Sequence, residues 1–420
     1  MEGYILEWLN LLGRWIHIIT GTAWIGASFY FIWLDNHLQE PEHSSDKDKG
    51  VGGEIWAVHG GGFYNSQKYQ VAPEKLPETL HWFKWEAYST WLSGMFMLVL
   101  MYWYSAELYL IDPNVMALPK PVAILIGIAT IVVGWKGYDA LCRSKFGEND
   151  TQLSIIIFVL TSLVAFLLCQ VFSGRGAFIH YGAMLGTIMV GNVAMVIIPG
   201  QKDLVKAKEE GRAPDPIHGI RGKQRSVHNT YFTLPVLFVM ISNHYAMTYG
   251  HKYNWLVLIG ISLIGALVRV YFVNRHKGKA SPLPIVLSVV LLAVLAAMMV
   301  PRPAALGSAA NAESGSGSST RGSQSEGVAA LSTDEIAELE ANAHGVVLAR
   351  CAACHAQTPS QKGFVAPPKN IVLETPADLE QHADVVYQQS VVTRAMPLGN
   401  LTGMTDEERE WIANWYRATR

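Results

Sequence analysis

Cys351, Cys354 and His355 spell C-x-x-C-H within "RCAACHAQTP", the attachment signature of c-type haem. Two thiols at this spacing add across the vinyl groups of one haem, and the adjacent imidazole becomes an axial ligand to its iron. Met396, in "RAMPLGN", offers a thioether for the opposite side, and Pro397 stiffens its loop. Thioether ligation raises the iron potential and leaves no open coordination position. The chemistry expected is therefore electron carriage and not oxygen activation. Met404 is the competing sulfur, but it abuts a helix start. His344 and His382 read as surface residues.

The elements that must position these donors can be read around them. "STDEIAELEANAHGVVLARC" predicts a helix leading into the motif, capped by Ser332 or Thr333 with acidic residues in its first turn. "TDEEREWIANWYRAT" predicts a closing helix, with Thr405 and Glu408 spaced as a capping box. Between them "VAPPKNI" is the expected haem-side loop. Residues 333–420 thus have the size and pattern of a small, class I-type monohaem cytochrome c domain. Residues 301–332, rich in Ser, Gly and Ala, read as a flexible linker that keeps this domain at high local concentration.

The remainder is of another kind. Half of the 420 residues are hydrophobic and 16% are charged, against about 25% charged in ordinary soluble domains. The net charge of −2 gives no basic surface and excludes nucleic acid as a partner. Cys142 and Cys169 stand alone among apolar residues and read as small buried hydrophobes. Eight segments of residues 1–300 are long and apolar enough to suggest membrane helices: 8–34, 87–111, 120–140, 152–173, 177–198, 229–247, 254–273 and 283–300. The expected fold class is all-α, an eight-span transmembrane bundle in the lipid bilayer. The first segment is too long for a signal-peptide core and reads as a retained anchor. Basic residues concentrate after the third, fifth and seventh segments, in "CRSK", "QKDLVKAKEEGRAPDPIHGIRGKQR" and "NRHKGK". The positive-inside rule then turns these loops to the cytoplasm and both termini, with the cytochrome, to the outer face.

Ionisable groups inside such spans are functional candidates. Arg14 and His17 with Trp24 in the first segment, Arg175 and His180 in the fifth, and Asn243 and His244 in the sixth gather in the outer half. They could pair around a haem b, with His180 and His244 the foremost ligands, or bind an anionic substrate. Their competing role is interfacial, with the polar ends reaching for water. Lys136 and Asp139, about one turn apart, are placed to pair with each other. Arg269 lies near the inner end of the seventh segment and His228 opens the sixth. The connection 35–86 is aromatic-rich and expected to be ordered. Within it, His59 precedes three glycines that either let backbone approach a planar ligand or form a flexible turn, beside Phe63, Tyr64 and Asn65.

Two long stretches, "LLGRWIHIITGTAWIGASFYFIWLDN" and "EIWAVHGGGFYNSQKYQVAPEKLPETLHWFKWEAYSTWLSG", together with "CAACH … AMPLGN", resemble the membrane-bound bacterial urate oxidases that carry a fused C-terminal cytochrome c. The resemblance covers essentially the whole chain and is strongest over residues 10–100. It implies a multi-pass protein of the bacterial inner membrane with its cytochrome on the periplasmic side. It also implies oxidation of urate to 5-hydroxyisourate, with electrons passing through haem c to a respiratory-chain acceptor, a cytochrome or a terminal oxidase, and without peroxide. Only Cys351, Cys354, His355 and Met396 match a defined motif of that family. A flat anion calls for a cation beside aromatic surfaces. Arg14, His17 and Trp24, or His59 with its glycine run, answer that description, the outer-half set being preferred. The alternatives are a quinol or other small-molecule dehydrogenase, and a membrane-anchored carrier with no substrate of its own.

Overall fold

Helix covers most of each of the eight apolar segments. In the computed structural model, which describes residues 2–276, 281–300, 332–361, 364 and 366–420, the long helices are α1 (Glu2–His37), α2 (Trp85–Met97), α3 (Lys120–Arg143), α4 (Asp150–Val171), α5 (Gly174–Asn192), α6 (Pro216–Ser242), α7 (Asn254–His276) and α8 (Leu283–Met298). The linker expected at 301–332, Ser332 apart, lies outside the described residues, as do Val365 of the expected haem-side loop and the basic residues at 277 and 279. Five of the described helices are long and apolar enough to cross a bilayer: Tyr4–His37, Lys120–Arg143, Asp150–Val171, the rod Gly174–Glu209 and Asn254–Arg275. α8, at 16 residues, is shorter. α6 starts at Pro216, well before the expected 229, because Asp215 caps it and Pro216 occupies its first turn.

The all-α expectation needs one correction. Among the described residues 73% are helix but 5% are strand, and the strand is an antiparallel hairpin inside the 35–86 connection. β1 (Val51–His59) pairs with β2 (Gly62–Tyr69) in a register that sets His59 opposite Gly62. Gly60 and Gly61 turn it with φ of +58° and +82°, the two left-handed residues that a type I′ turn requires. Glu54, buried on the hairpin, ties it down. Its carboxylate accepts the Glu42 N–H at 2.9 Å and the amides of Gln67 at 3.1 Å and Asn65 at 3.3 Å.

α5 is the axis of the N-terminal unit. Thirteen of its residues are buried, and Phe178, Met184, Leu185 and Ile188 fill the core with Phe172, Leu153 and Leu258 from its surroundings. Its neighbours come this close because α5 carries glycines where they touch. A Cβ on Gly182 would lie 2.6 Å from the Val239 side chain of α6, and one on Gly191 would lie 2.6 Å from the Trp135 ring of α3. α1 lies along α2 by the same device, Gly21 facing Thr90 and Gly94 facing His17.

The C-terminal helices form a second compact unit. α9 (Thr333–Arg350) packs on α11 (Asp406–Thr419), with the single turn α10 (Ala352–His355) between them. Ser332 and Glu335 close a capping box on α9, and Thr405 and Glu408 close one on α11, as their spacing predicts. Val347, Leu379, Ile412 and Trp415 form the core. Arg350 clamps the two helices, meeting the Glu408 carboxylate at 2.9 and 3.0 Å.

Gly191→Ala should push Trp135 aside and destabilise the detergent-purified protein by about 1–3 kcal/mol. Gly137→Ala, where an added Cβ meets nothing within 4 Å, should leave the thermal midpoint unchanged.

Candidate functional site

In the C-terminal unit the donors of the C-x-x-C-H motif share one turn of chain. Cys351 caps α9, Cys354 and His355 follow in α10, and both thiols are free. Burial, reinforced by the neighbouring Cys354, pushes the Cys351 thiol up to about 12. His355 Nδ1 lies 2.9 Å from the Ile371 carbonyl. Donating there fixes the tautomer and leaves Nε2 unprotonated for a metal, the usual outer-shell arrangement of a ligating histidine. Met396 is anchored through its backbone: its N–H donates to Gln389 at 3.0 Å, and its carbonyl accepts from Arg409 at 2.9 Å. Met404, the competing sulfur, is instead buried in the core of this unit. Cys351, Cys354, His355 and Met396 are therefore the residues that could hold a haem and its iron.

The candidates of the N-terminal unit separate. Arg14, His17 and Trp24 share the face of α1 that lies along α2. His17 Nδ1 is 3.0 Å from both the Thr90 carbonyl and Ser93 Oγ, which makes it a helix–helix tie. Arg14 turns to Asn10 on its own helix at 2.7 Å, and Trp24 packs into the core. His180 is wholly buried and both of its nitrogens are engaged. Nδ1–H donates to the Gly176 carbonyl at 2.9 Å, and Nε2 accepts from Trp103 at 3.1 Å. Both of its nitrogens are thus spent within the protein, while His244 is exposed. Among the described residues no group of three or more His, Cys, Asp and Glu is placed to hold a metal ion. His59 sits exposed at the hairpin tip. The glycines after it serve the turn and form no cradle for a ligand.

Arg175 and Asn243 do form one cluster. Arg175 donates to Asn243 at 2.8 Å and to the Tyr102 hydroxyl at 3.2 Å, and its guanidinium lies over the Tyr109 ring. Tyr102 and Trp103 reach Arg175 and His180 from a wide π turn, Leu98–Tyr104, that extends α2. Such turns re-aim side chains and recur at functional positions.

A larger buried network ties α3, α5 and α6. Asn192 donates to Tyr138 at 3.1 Å and to Asn229 at 2.9 Å. Tyr138 Oη lies 2.7 Å from His228 Nδ1. Arg225, 3% exposed, meets Asp139 at 2.8 Å and stacks on Tyr138. Asp139 thus pairs with Arg225 and with Arg143, at 2.8 Å each, and not with Lys136. By sequence Arg225 reads as a basic loop residue. Its place in a helix capped by Asp215, four residues from Asn229, was the available signal.

The fold and these sites define a class: a helical bundle with rods long and apolar enough to cross a bilayer, continuous with a small helical unit bearing the C-x-x-C-H donors. The family model of the urate oxidase N-terminal region matches residues 3–300, and the chain belongs to that family. No curated protein and no solved structure matches the chain.

Arg225→Ala would leave Asp139 and Asn192 short of partners in the core. A loss of about 3–5 kcal/mol in unfolding free energy is expected, and in a double-mutant cycle with Asp139→Asn the two losses should not add. In the C-terminal unit, burial opposes charge on Glu408, but Arg350 and Thr405 outweigh it and hold the carboxyl below its usual 4.5. A depressed value contributes stability above pH 4.5 that is lost as pH falls through the folded value. Guanidinium unfolding of wild type and Glu408→Gln across pH should therefore show the variant weaker at neutral pH, with the two converging in acid.

Proposed function

We propose that this chain is a membrane-bound urate oxidoreductase that oxidises urate at C5 with addition of water. One urate and one water give 5-hydroxyisourate, two protons and two electrons. The electrons leave by way of a c-type haem on the C-terminal unit to a respiratory-chain acceptor, so no peroxide forms. The observation that carries this reading is the family match over residues 3–300 in one chain with the C-x-x-C-H donors.

The donor set of the C-terminal unit fits a haem. Cys351 and Cys354 would form the thioether links, His355 would present Nε2 with Nδ1 held by Ile371, and Met396 would present its sulfur from a backbone fixed by Arg409 and Gln389. The group would supply a one-electron acceptor of raised potential, so each urate calls for two successive transfers. The bilayer assignment is supported by the five long apolar helices and by large apolar side chains left exposed on them, such as Ile18, Leu125 and Val133. Lys202, Lys206, Arg212, Arg221 and Lys223 remain exposed after α5. This supports a cytoplasmic position for that connection and an outer one for the C-terminal unit.

Urate added anaerobically to the oxidised, purified full chain should reduce the c-type absorption bands, with about two haems reduced per urate lost and no peroxide on admission of air. Cys351→Ala/Cys354→Ala should abolish the covalent haem and the urate-dependent signal together. Bands that respond to dithionite or quinol and not to urate would overturn the assignment.

A further inference from the structure

Arg269 departs from the pairing seen at Arg175 and Arg225 of the bundle. It lies on α7, 8% exposed, and its Nε has no hydrogen-bond partner. Among the described residues no carboxylate pairs with it; the Phe29 ring of α1 lies 5.8 Å from the guanidinium carbon, and Tyr231 of α6 is close enough to interact with its charge. A buried cation without a counter-charge is costly, and removing its partner typically destabilises a protein strongly. Arg225, its counterpart in the core, is bound by Asp139, Asn192 and Tyr138.

A cavity of about 440 Å³ lies next along the same seam, lined by Trp33, Asn36 and His37 of α1 and by Phe272 and Arg275 of α7. Phe29 precedes Trp33, and Arg269 precedes Phe272, by about one turn, or roughly 5 Å of helix. The seam therefore carries a buried cation, a second exposed cation, and aromatic faces from both helices. His37 stacks on Trp33 at 5.0 Å between centroids, and Asn36 spends its amide N–H on the Ile32 carbonyl at 2.7 Å, leaving its oxygen to accept. This is the composition that a flat heterocyclic anion with ring N–H groups requires, and the volume falls in the range of small-molecule sites.

The geometry points to the α1–α7 seam as the binding site for the urate anion, with Arg269 its buried counter-charge and Trp33 and Phe272 its stacking surfaces. The assignment rests on the urate reading above, and it replaces the Arg14–His17–Trp24 set, whose polar groups face α2 or their own helix. On the topology drawn from the basic loops the cavity faces the cytoplasm.

The test uses the purified full chain. Binding is measured by equilibrium dialysis with labelled urate on dithionite-reduced protein, which cannot turn over. Steady-state haem reduction by urate then gives KM and kcat. Arg269→Gln should weaken binding and raise KM at least about 30-fold, Arg269→Lys should recover most of that, and the haem c spectrum should not change. Trp33→Leu and Arg275→Gln, at the exposed rim, should each raise KM by roughly five- to tenfold with kcat nearly constant, and they decide the matter if Arg269→Gln does not fold. Wild type that neither binds nor oxidises urate would overturn the functional reading itself. Wild type that does both, beside Arg269 and rim variants with unchanged KM and affinity, would overturn this site alone and leave an anionic lipid headgroup as the occupant of the seam.

Discussion

The N-terminal unit depends on one constraint: a polar group inside an apolar bundle must find its partner on another helix. Asn192 answers it most fully. Wholly buried near the end of α5, it reaches Tyr138 of α3 and Arg225 and Asn229 of α6. Those bonds fix the rotation of three helices about their axes, since a turn of any one would strand several donors where no water can reach them. The glycines of α5 serve the same end, letting backbones approach until short side chains such as asparagine can span the gap.

Seen this way, the polar residues of the bundle are of two kinds. His17, His180, Arg175 and Arg225 are engaged, each tied across a helix interface or to a backbone carbonyl. A group satisfied within the protein has little left to offer a ligand, because binding would first break what it has. Arg269 belongs to the other kind. It is 8% exposed, yet no carboxylate among the described residues pairs with it and its Nε has no hydrogen-bond partner. That contrast, more than the abundance of histidine and aromatic residues, separates scaffold from site.

The C-terminal unit works by local means. Capping boxes start α9, α11 and the short helix Pro376–Gln381, where Thr375 pairs with Asp378, and Arg350 joins the end of α9 to the start of α11 through Glu408 and the Thr402 carbonyl. The motif cysteines and His355 hang on this clamp, so their mutual placement is set within a few residues of chain. The imidazole is then aimed by one carbonyl, that of Ile371, sixteen residues on.

This difference in range decides what could be read in advance. The haem-attachment motif, the helix caps and the apolar segments are local patterns, and the sequence by itself determined them: thiol spacing, capping chemistry and side-chain hydrophobicity act over a few residues or one helix. The hairpin of 51–69 was also within reach, since paired glycines between alternating residues mark a type I′ turn. The glycines after His59 are open in the sequence to either a turn or a close approach to a planar ligand, and the structure makes them the turn. The tertiary structure alone decided that Asp139 meets Arg225, 86 positions away, and not Lys136 one turn off. In the same way it closed His180 against Trp103 and left the Arg269 Nε without a hydrogen-bond partner. Which faces of which helices meet depends on packing summed over the whole bundle, and a charge becomes a tie or a site only once that packing has chosen its neighbours.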